Sequence, residues 1–304
     1  MKQVLMIYNP NAGNGIIVNH LDKIIDMFGD AGIFVVPFRI GGVFDIDKIL
    51  SVLETERFDQ LIVAGGDGTI NLVVNAMLKY DVHIPLAIFP TGTANDMAGS
   101  LGIPLTMEGM IKTALSDDLI KVDVGKAGSK YFVNVLAIGM LVDVSQKTDP
   151  MIKNTLGLGA YYLRTLAEIP FARANKLRII SEECTLEEEV SAVLVMNGST
   201  AGGFKTIAPL SEVGDGLLDV IVVRKLILPV MLPALLTVMM GQHMDDKRFE
   251  YFRTKSLRIE PMNGEEVNTD VDGEKGDPLP LDIELLPGRL LVKANVTKEF
   301  EPPL

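Results

Sequence analysis

The chain has 304 residues, close to half of them apolar, and carries a formal charge of −12. That length accommodates two domains with sizeable cores. The acidity argues against nucleic acid as a partner, because phosphate contacts need a basic surface. A single cysteine, Cys184, excludes an internal disulfide and suits a reducing cytosol, and the scattered His20, His83 and His243 show no metal-ligand spacing.

From the start, strand and helix patterns alternate. Strands are expected at 3–8, 33–38, 60–64 and 85–89, and helices near 15–30, 46–54, 69–80, 94–100 and 107–116. No secretory leader is expected, since Met1-Lys-Gln runs straight into the first strand. Such alternation predicts a parallel sheet with helices on both faces. Pro37 suits an edge strand, because its missing N–H would break a central ladder.

Three strand ends in this part carry loops suited to phosphate. The first is Tyr8-Asn9-Pro10-Asn11-Ala12-Gly13. The second is Gly65-Gly66-Asp67-Gly68-Thr69, entered from an apolar run and followed by a helical pattern that contains Asn71. The third is Pro90-Thr91-Gly92-Thr93-Ala94-Asn95-Asp96. Glycines let the backbone approach a ligand that any Cβ would push away. The helix starts that follow offer unpaired N–H groups to phosphate oxygens. Asp67 would repel phosphate directly but suits a Mg²⁺ network beside it; the plain structural alternative is a helix-capping carboxylate. In a parallel sheet these loops gather at the carboxyl edge, where ligands of open α/β sheets bind.

After about residue 120 short strand-like runs dominate, at 121–126, 131–138, 177–180, 190–196, 218–223, 257–259, 267–271, 281–286 and 290–293. They read as a β-sandwich, interrupted by helical patterns at 157–168 and 228–240. Residues 182–189 read as an exposed acidic hairpin or loop. The apolar run 226–240 contains Pro229 and Pro233 and falls short of the roughly 20 residues that span a membrane. A locally basic segment includes Lys147, Lys153, Arg164, Arg173, Lys176 and Arg178, a solvated face or a patch for anionic headgroups. Asp272-Gly273 and Asp215-Gly216 each read as ordinary turns on composition alone.

The three loops, together with Val122-Asp123-Val-Gly125, Gly214-Asp215-Gly-Leu-Leu-Asp219 and Asp272-Gly273-Glu274, resemble the diacylglycerol kinase catalytic-domain family, and within it the soluble bacterial lipid kinases, with sphingosine kinases as relatives. The Gly-Gly-Asp-Gly segment is shared with NAD kinases and phosphofructokinases; the later motifs select the lipid branch. The resemblance implies a nucleotide-binding α/β domain over 1–122, joined by the returning tail 290–304, and a β-sandwich lipid-substrate domain over 123–289. It implies ATP-dependent transfer of a phosphoryl group to a lipid hydroxyl, with diacylglycerol as substrate and Mg²⁺ as metal, by a cytoplasmic enzyme at the inner membrane face, with homodimerisation left open. Asp272 would be the general base, and Glu274 would lie near the nucleotide. Asp67, Asp96 and Asp123 would organise Mg²⁺ at the phosphates. Asp215, with the carbonyls of Glu212 and Leu217, would hold a second, structural Mg²⁺. Other lipid alcohols (a sphingoid base or phosphatidylglycerol), NAD phosphorylation, or a catalytically silent lipid- or nucleotide-binding regulator are the alternatives. Two departures stand out: Ala12 replaces a hydroxyl residue, and Arg39-Ile40-Gly41 occupies the place of a nucleotide-contacting threonine.

Overall fold

The structure is a computed structural model that describes residues 2–40, 57–140, 142, 174–203 and 207–294. The chain divides into two compact units, residues 1–122 with 288–304, and residues 123–287.

The first unit contains β1 (Lys2–Tyr8), α1 (Ile16–Asp30), β2 (Ile33–Arg39), β3 (Gln60–Gly65), α2 (Asp67–Lys79), β4 (Leu86–Pro90), α3 (Asp96–Ser100) and α4 (Met107–Leu115). The strands pair in parallel in the order β2, β1, β3, β4. Strands covered on both faces read as unbroken apolar runs, and β3 and β4 are buried throughout. Met6, Ile62, Ala87 and Phe89 share a core with Ile17, Ile24 and Phe28 of α1 and with Met110 and Ile111 of α4. The alternate residues Leu5, Ile7, Leu61, Val63 and Ile88 are equally buried on the other face, where α2 lies against β3. Pro37 sits in β2, whose strand neighbour among the described residues is β1 alone. The helix expected at 46–54 lies outside the described residues. The one expected at 94–100 is shortened to α3, because Asn95 takes a left-handed conformation with φ of 54° and the helix can begin only after it.

The second unit contains β5 (Leu119–Ala127, entering from the first unit), β6 (Lys130–Phe132), β7 (Val135–Gly139), β8 (Asn175–Ser181), β9 (Thr185–Met196), β10 (Leu218–Arg224), α5 (Leu228–Met239), β11 (Phe249–Thr254), β12 (Ser256–Pro261), β13 (Thr269–Val271), β14 (Glu274–Lys275) and β15 (Leu281–Lys293), whose last residues belong to the first unit. The long β9 organises them. Its first half pairs with β8, and its second half with both β7 and β10. A strand that changes partners along its length is how β-sandwiches turn corners. Val193 and Val195 of β9 face one core with Leu136, Val220 and Ile259. Leu194 and Met196 face another, which Ala234 and Val238 of α5 help to fill.

Several expectations need correction here. The run 131–138 is two strands, not one, because the N–H groups of Val133, Asn134 and Val135 turn away to a distant carboxylate. The acidic segment 182–189, expected as an exposed hairpin or loop, is a hairpin: β8 and β9 pair antiparallel, the Ser181 N–H donates to the Cys184 carbonyl (2.8 Å), and residues 185–189 open β9. Their acids are held by cross-strand cations, Glu187 by Arg178 and Glu189 by Lys225. The runs 281–286 and 290–293 form the single strand β15, which tolerates Pro287 and a left-handed Gly288 at φ of 58°. The strand expected at 267–271 is confined to β13, and β11 was not anticipated. The helical pattern at 157–168, and Lys147, Lys153, Arg164 and Arg173, lie outside the described residues.

Candidate active site

Register, not sequence proximity, assembles the loops of the first unit. Tyr8 pairs with both Arg39 and Ala64, Ala64 with Phe89, and Gly65 with Pro90. The carboxyl ends of four strands therefore lie in one row. Because β2 lies on one side of β1 and β3 on the other, the loop after β1 sits at the topological switch point of the sheet, the usual ligand position in open α/β sheets.

Backbone and side chains then knit these loops together. The Asn9 N–H donates to the Ala64 carbonyl (2.9 Å), the Thr91 N–H to the Gly65 carbonyl (2.9 Å), and the Asn9 amide to the Thr69 hydroxyl (3.4 Å). The Asn11 N–H donates to Asn9 Oδ1 (2.9 Å). Gly66 and Gly92 touch backbone to backbone. A Cβ on Gly92 would lie 2.6 Å from Gly66 Cα, and one on Gly13, itself left-handed at φ of 56°, 2.7 Å from the Thr91 carbonyl oxygen. Pro10 and Ala12 complete the first loop, half-buried. Thr93 is exposed in the third loop, while Asn71 is buried in α2 beside Asn75.

Asp67 does not cap its own helix. The residue at the cap of α2 is Gly66, and Asp67, Gly68 and Thr69 form the first turn. The Asp67 carboxylate instead accepts the N–H groups of Asn95 (2.9 Å) and Asp96 (2.7 Å), fixing the third loop to the second. Asn95 clamps its own loop: Oδ1 accepts the Gly92 N–H (2.8 Å) and Nδ2 donates to the Gly92 carbonyl (3.0 Å). Asp96 is buried. At the floor of this cluster the Thr91 hydroxyl is buried with no hydrogen-bond partner. A buried orphan hydroxyl is costly, and a ligand oxygen would satisfy it. Gly68, by contrast, has open space where a Cβ would go. Mobile acceptors such as phosphate oxygens, with a hard cation on the carboxylates, fit this donor and acceptor set. Arg39 stands exposed in the same row of strand ends, where it adds a cation.

In the second unit the carboxylates are engaged differently. Asp272 and Gly273 form the turn between β13 and β14, both left-handed at φ of 50° and 89°. This is the type I′ geometry for which Asp-Gly is suited. The turn and the candidate base are thus the same residues. The Asp272 carboxylate accepts N–H groups from Val133 (2.7 Å), Asn134 (3.0 Å) and Val135 (2.7 Å). Asp270 accepts the Gly273 N–H (2.7 Å), and Glu274 is exposed. Asp123 is buried in β5 and accepts the Gly216 N–H (2.8 Å). Asn197, fully buried, donates to the carbonyls of Asp123 (2.8 Å) and Val133 (3.1 Å), so one amide links the strand that carries Asp123 to the segment that donates to Asp272. Asn134 Oδ1 is a second buried orphan acceptor. Sequence reading missed Asn134 and Asn197; polar residues inside apolar strand runs were the available signal.

The residues expected around a second metal have partners of their own within the protein. The Asp215 carboxylate accepts the N–H groups of Leu217 (3.0 Å) and Glu212 (3.3 Å) and pairs with the Arg253 guanidinium. The Glu212 carbonyl turns inward to the N–H groups of Gly214 (2.7 Å) and Asp215 (3.3 Å). Arg253 also contacts the fully buried Asp219 at 3.2 Å. Burial pushes the Asp219 carboxyl up, against the opposing pull of the Tyr251 hydroxyl and Arg253. Burial, then the hydrogen bond to Asp219, pushes the Tyr251 phenol up. Arg253 thus supplies positive charge beside both Asp215 and Asp219.

A parallel α/β unit with three glycine- and Asx-rich loops along its carboxyl edge, followed by a β-sandwich unit, defines the class of two-domain kinases. The chain belongs to the diacylglycerol kinase family, whose members are lipid kinases. The model of the diacylglycerol kinase catalytic domain matches residues 3–127, and that of the YegS C-terminal NAD kinase beta sandwich-like domain matches residues 134–294. The chain is 32% identical over 285 residues to a diacylglycerol kinase of Bacillus subtilis, covering 92% of each, and 29% identical over 279 residues to one of Staphylococcus saprophyticus, covering 92% of this chain and 91% of the relative. A crystal structure of a diacylglycerol kinase from Bacillus anthracis superposes with a TM-score of 0.78 at 28% identity, over 97% of this chain and 98% of that one. Among the described residues no helix is long and apolar enough to cross a membrane.

Proposed function

We propose that the protein transfers the γ-phosphoryl group of ATP to the free hydroxyl of diacylglycerol, giving phosphatidic acid, at the inner membrane face of the cytoplasm. The observation that carries the ATP reading is the orphan Thr91 hydroxyl beneath glycine loops held in register. Support for diacylglycerol comes from the names of the B. subtilis and S. saprophyticus relatives. In this reading the loops at Asn9–Gly13, Gly65–Thr69 and Pro90–Asn95 bind the phosphates. Within the first unit Mg²⁺ would be held at Asp67 and Asp96, where it offsets charge on the transferring group.

Asp272 is assigned as the general base that takes the proton of the acceptor hydroxyl. Three backbone N–H groups hold its carboxylate in one orientation, which suits a positioned base but leaves fewer lone pairs for the substrate. Val133–Val135 therefore set the base. The test is incubation of the purified protein with γ-labelled ATP and a detergent-dispersed mixture of diacylglycerol, sphingoid base and phosphatidylglycerol. Label in phosphatidic acid alone is expected. Label in another lipid reassigns the substrate, and label in none of them overturns the reading.

A further inference from the structure

We infer that α5 is a membrane-contacting element of the second unit, whose outer stripe inserts among lipid headgroups and upper acyl chains. The inference rests on the lipid-kinase reading, because a substrate dissolved in a bilayer requires some surface of the enzyme to meet that bilayer.

Helix α5 shows two unlike faces. Ala234 and Val238, four residues apart, are buried against Leu194, Met196 and Ile221. On the opposite side lie Pro229, Pro233, Leu236 and Met240, all exposed. Their spacing of four, three and four residues places them on one stripe of a helix with 3.6 residues per turn. Leu236 is 42% exposed and Met240 65%, and Ile227 just before the helix is 67% exposed. From Leu226 to Gln242 there is no charged residue. Compare α1, which also exposes Ile16, Val18 and Ile25 but intersperses them with Asn19, His20, Asp22, Lys23 and Asp26. That is an ordinary solvated face. A stripe with no charge is one that water gains nothing by covering.

The dimensions favour a bilayer over a second copy of the chain. Stable protein interfaces engage about 20–30 residues a side, whereas among the described side chains this stripe comprises Ile227, Pro229, Pro233, Leu236 and Met240, with Met244 beyond. A narrow apolar ridge suits shallow insertion at a membrane interface. The flanking charges are of mixed sign, Lys225 with Glu189 on one side and Asp245, Asp246 and Lys247 on the other. Attachment is therefore apolar and insensitive to salt, unlike docking by a basic patch.

The sequence has no tryptophan, so Met240→Trp places a single reporter on the stripe of the full-length protein. Phosphatidylcholine vesicles, without ATP or diacylglycerol, should shift its emission to the blue, and brominated acyl chains should quench it, equally at low and high salt. Leu105→Trp, at an exposed position of the first unit, should respond to neither. Adding Leu236→Asp to Met240→Trp should weaken vesicle partitioning by tenfold or more while the melting temperature holds. No shift, an equal shift from Leu105→Trp, or a shift that follows protein concentration without vesicles (a second copy on the stripe) each overturns the inference. Since no substrate is present, failure here is separable from failure of the diacylglycerol reading, which the labelled-ATP assay alone decides.

Discussion

The two units hold their candidate functional groups by different means. In the first, loops from three strands interlock through glycine contacts, yet they leave the Thr91 hydroxyl unsatisfied and open space beside Gly68. In the second, Asp272 is held by three N–H groups, and Asp215 by two N–H groups and a guanidinium. The first unit combines one oriented acid, Asp67, with a spare hydroxyl and glycine backbone, whereas the second relies on acids that the protein itself orients. A group that must receive a mobile, many-oxygen ligand gains from spare donors. A carboxylate that must act on one proton gains from a fixed direction.

The largest expected effect comes from breaking that orientation. Asp272→Asn should lower turnover by roughly 10²–10⁴, with ATP affinity little changed. It also sets an amide NH₂ against backbone donors, so stability should fall by about 1–3 kcal/mol, read from urea denaturation. Turnover within about threefold of the parent would remove Asp272 from the role of base.

The cradle gives the next effect, and two glycines separate fold from binding. Gly92→Ala forces a Cβ to 2.6 Å from Gly66 Cα and should lose about 1–3 kcal/mol of stability, as overpacking does, together with ATP binding. Gly68→Ala meets no protein atom and sits in the first turn of α2. Its melting temperature should hold or rise while the Kd for ATP increases tenfold or more. Unchanged ATP affinity in Gly68→Ala would show that the open space is not where phosphate lies.

A smaller effect belongs to pH. His243 is fully buried, neither ring nitrogen has a partner, and burial pushes its pKa below the ordinary value. The unfolded chain therefore binds the extra proton first. Stability is complete above the unfolded value near about 6.5 and declines as pH falls below it, by at most about 1.4 kcal/mol per unit, until the folded site also protonates. His243→Leu should flatten the melting curve between pH 7 and 5. An undiminished slope in that variant would assign the loss to other groups.

The smallest expected effect is none. With Arg253 on Asp215, Mg²⁺ without nucleotide should leave the melting temperature unchanged, whereas a site filled at 100 times its Kd would add about 2.7 kcal/mol. A Mg²⁺-dependent rise that Asp215→Asn abolishes would mean that a metal displaces the guanidinium.

Much of the first unit was legible because its signals are local. The period of apolar residues marked β1, β3 and β4 within a residue or two, and loops after parallel strands can only gather at one edge. The β-rich second half was read less well. The apolar run across Val133 and Asn134 suggests a continuous strand, and nothing nearby reveals that its N–H groups turn to Asp272, from 137 to 139 residues away. The acidic segment 182–189 was legible as an exposed hairpin or loop, but the cations that hold it were not, because Arg178 lies on β8 and Lys225 just past β10.

By itself, then, the amino-acid order determined the α/β class of the first unit, the β character of the second, and which turns carry glycine and carboxylate. Periodicity and turn chemistry act over a few residues and can be read there. Tertiary structure alone decided that Asp67 binds the third loop rather than its own helix, that Asp215 faces the Arg253 guanidinium, and which side of α5 carries Ala234 and Val238 into the core. Each of these depends on which hydrogen-bonding and apolar surfaces meet after the chain has closed on itself, a choice made by burial and long-range pairing that no local pattern contains.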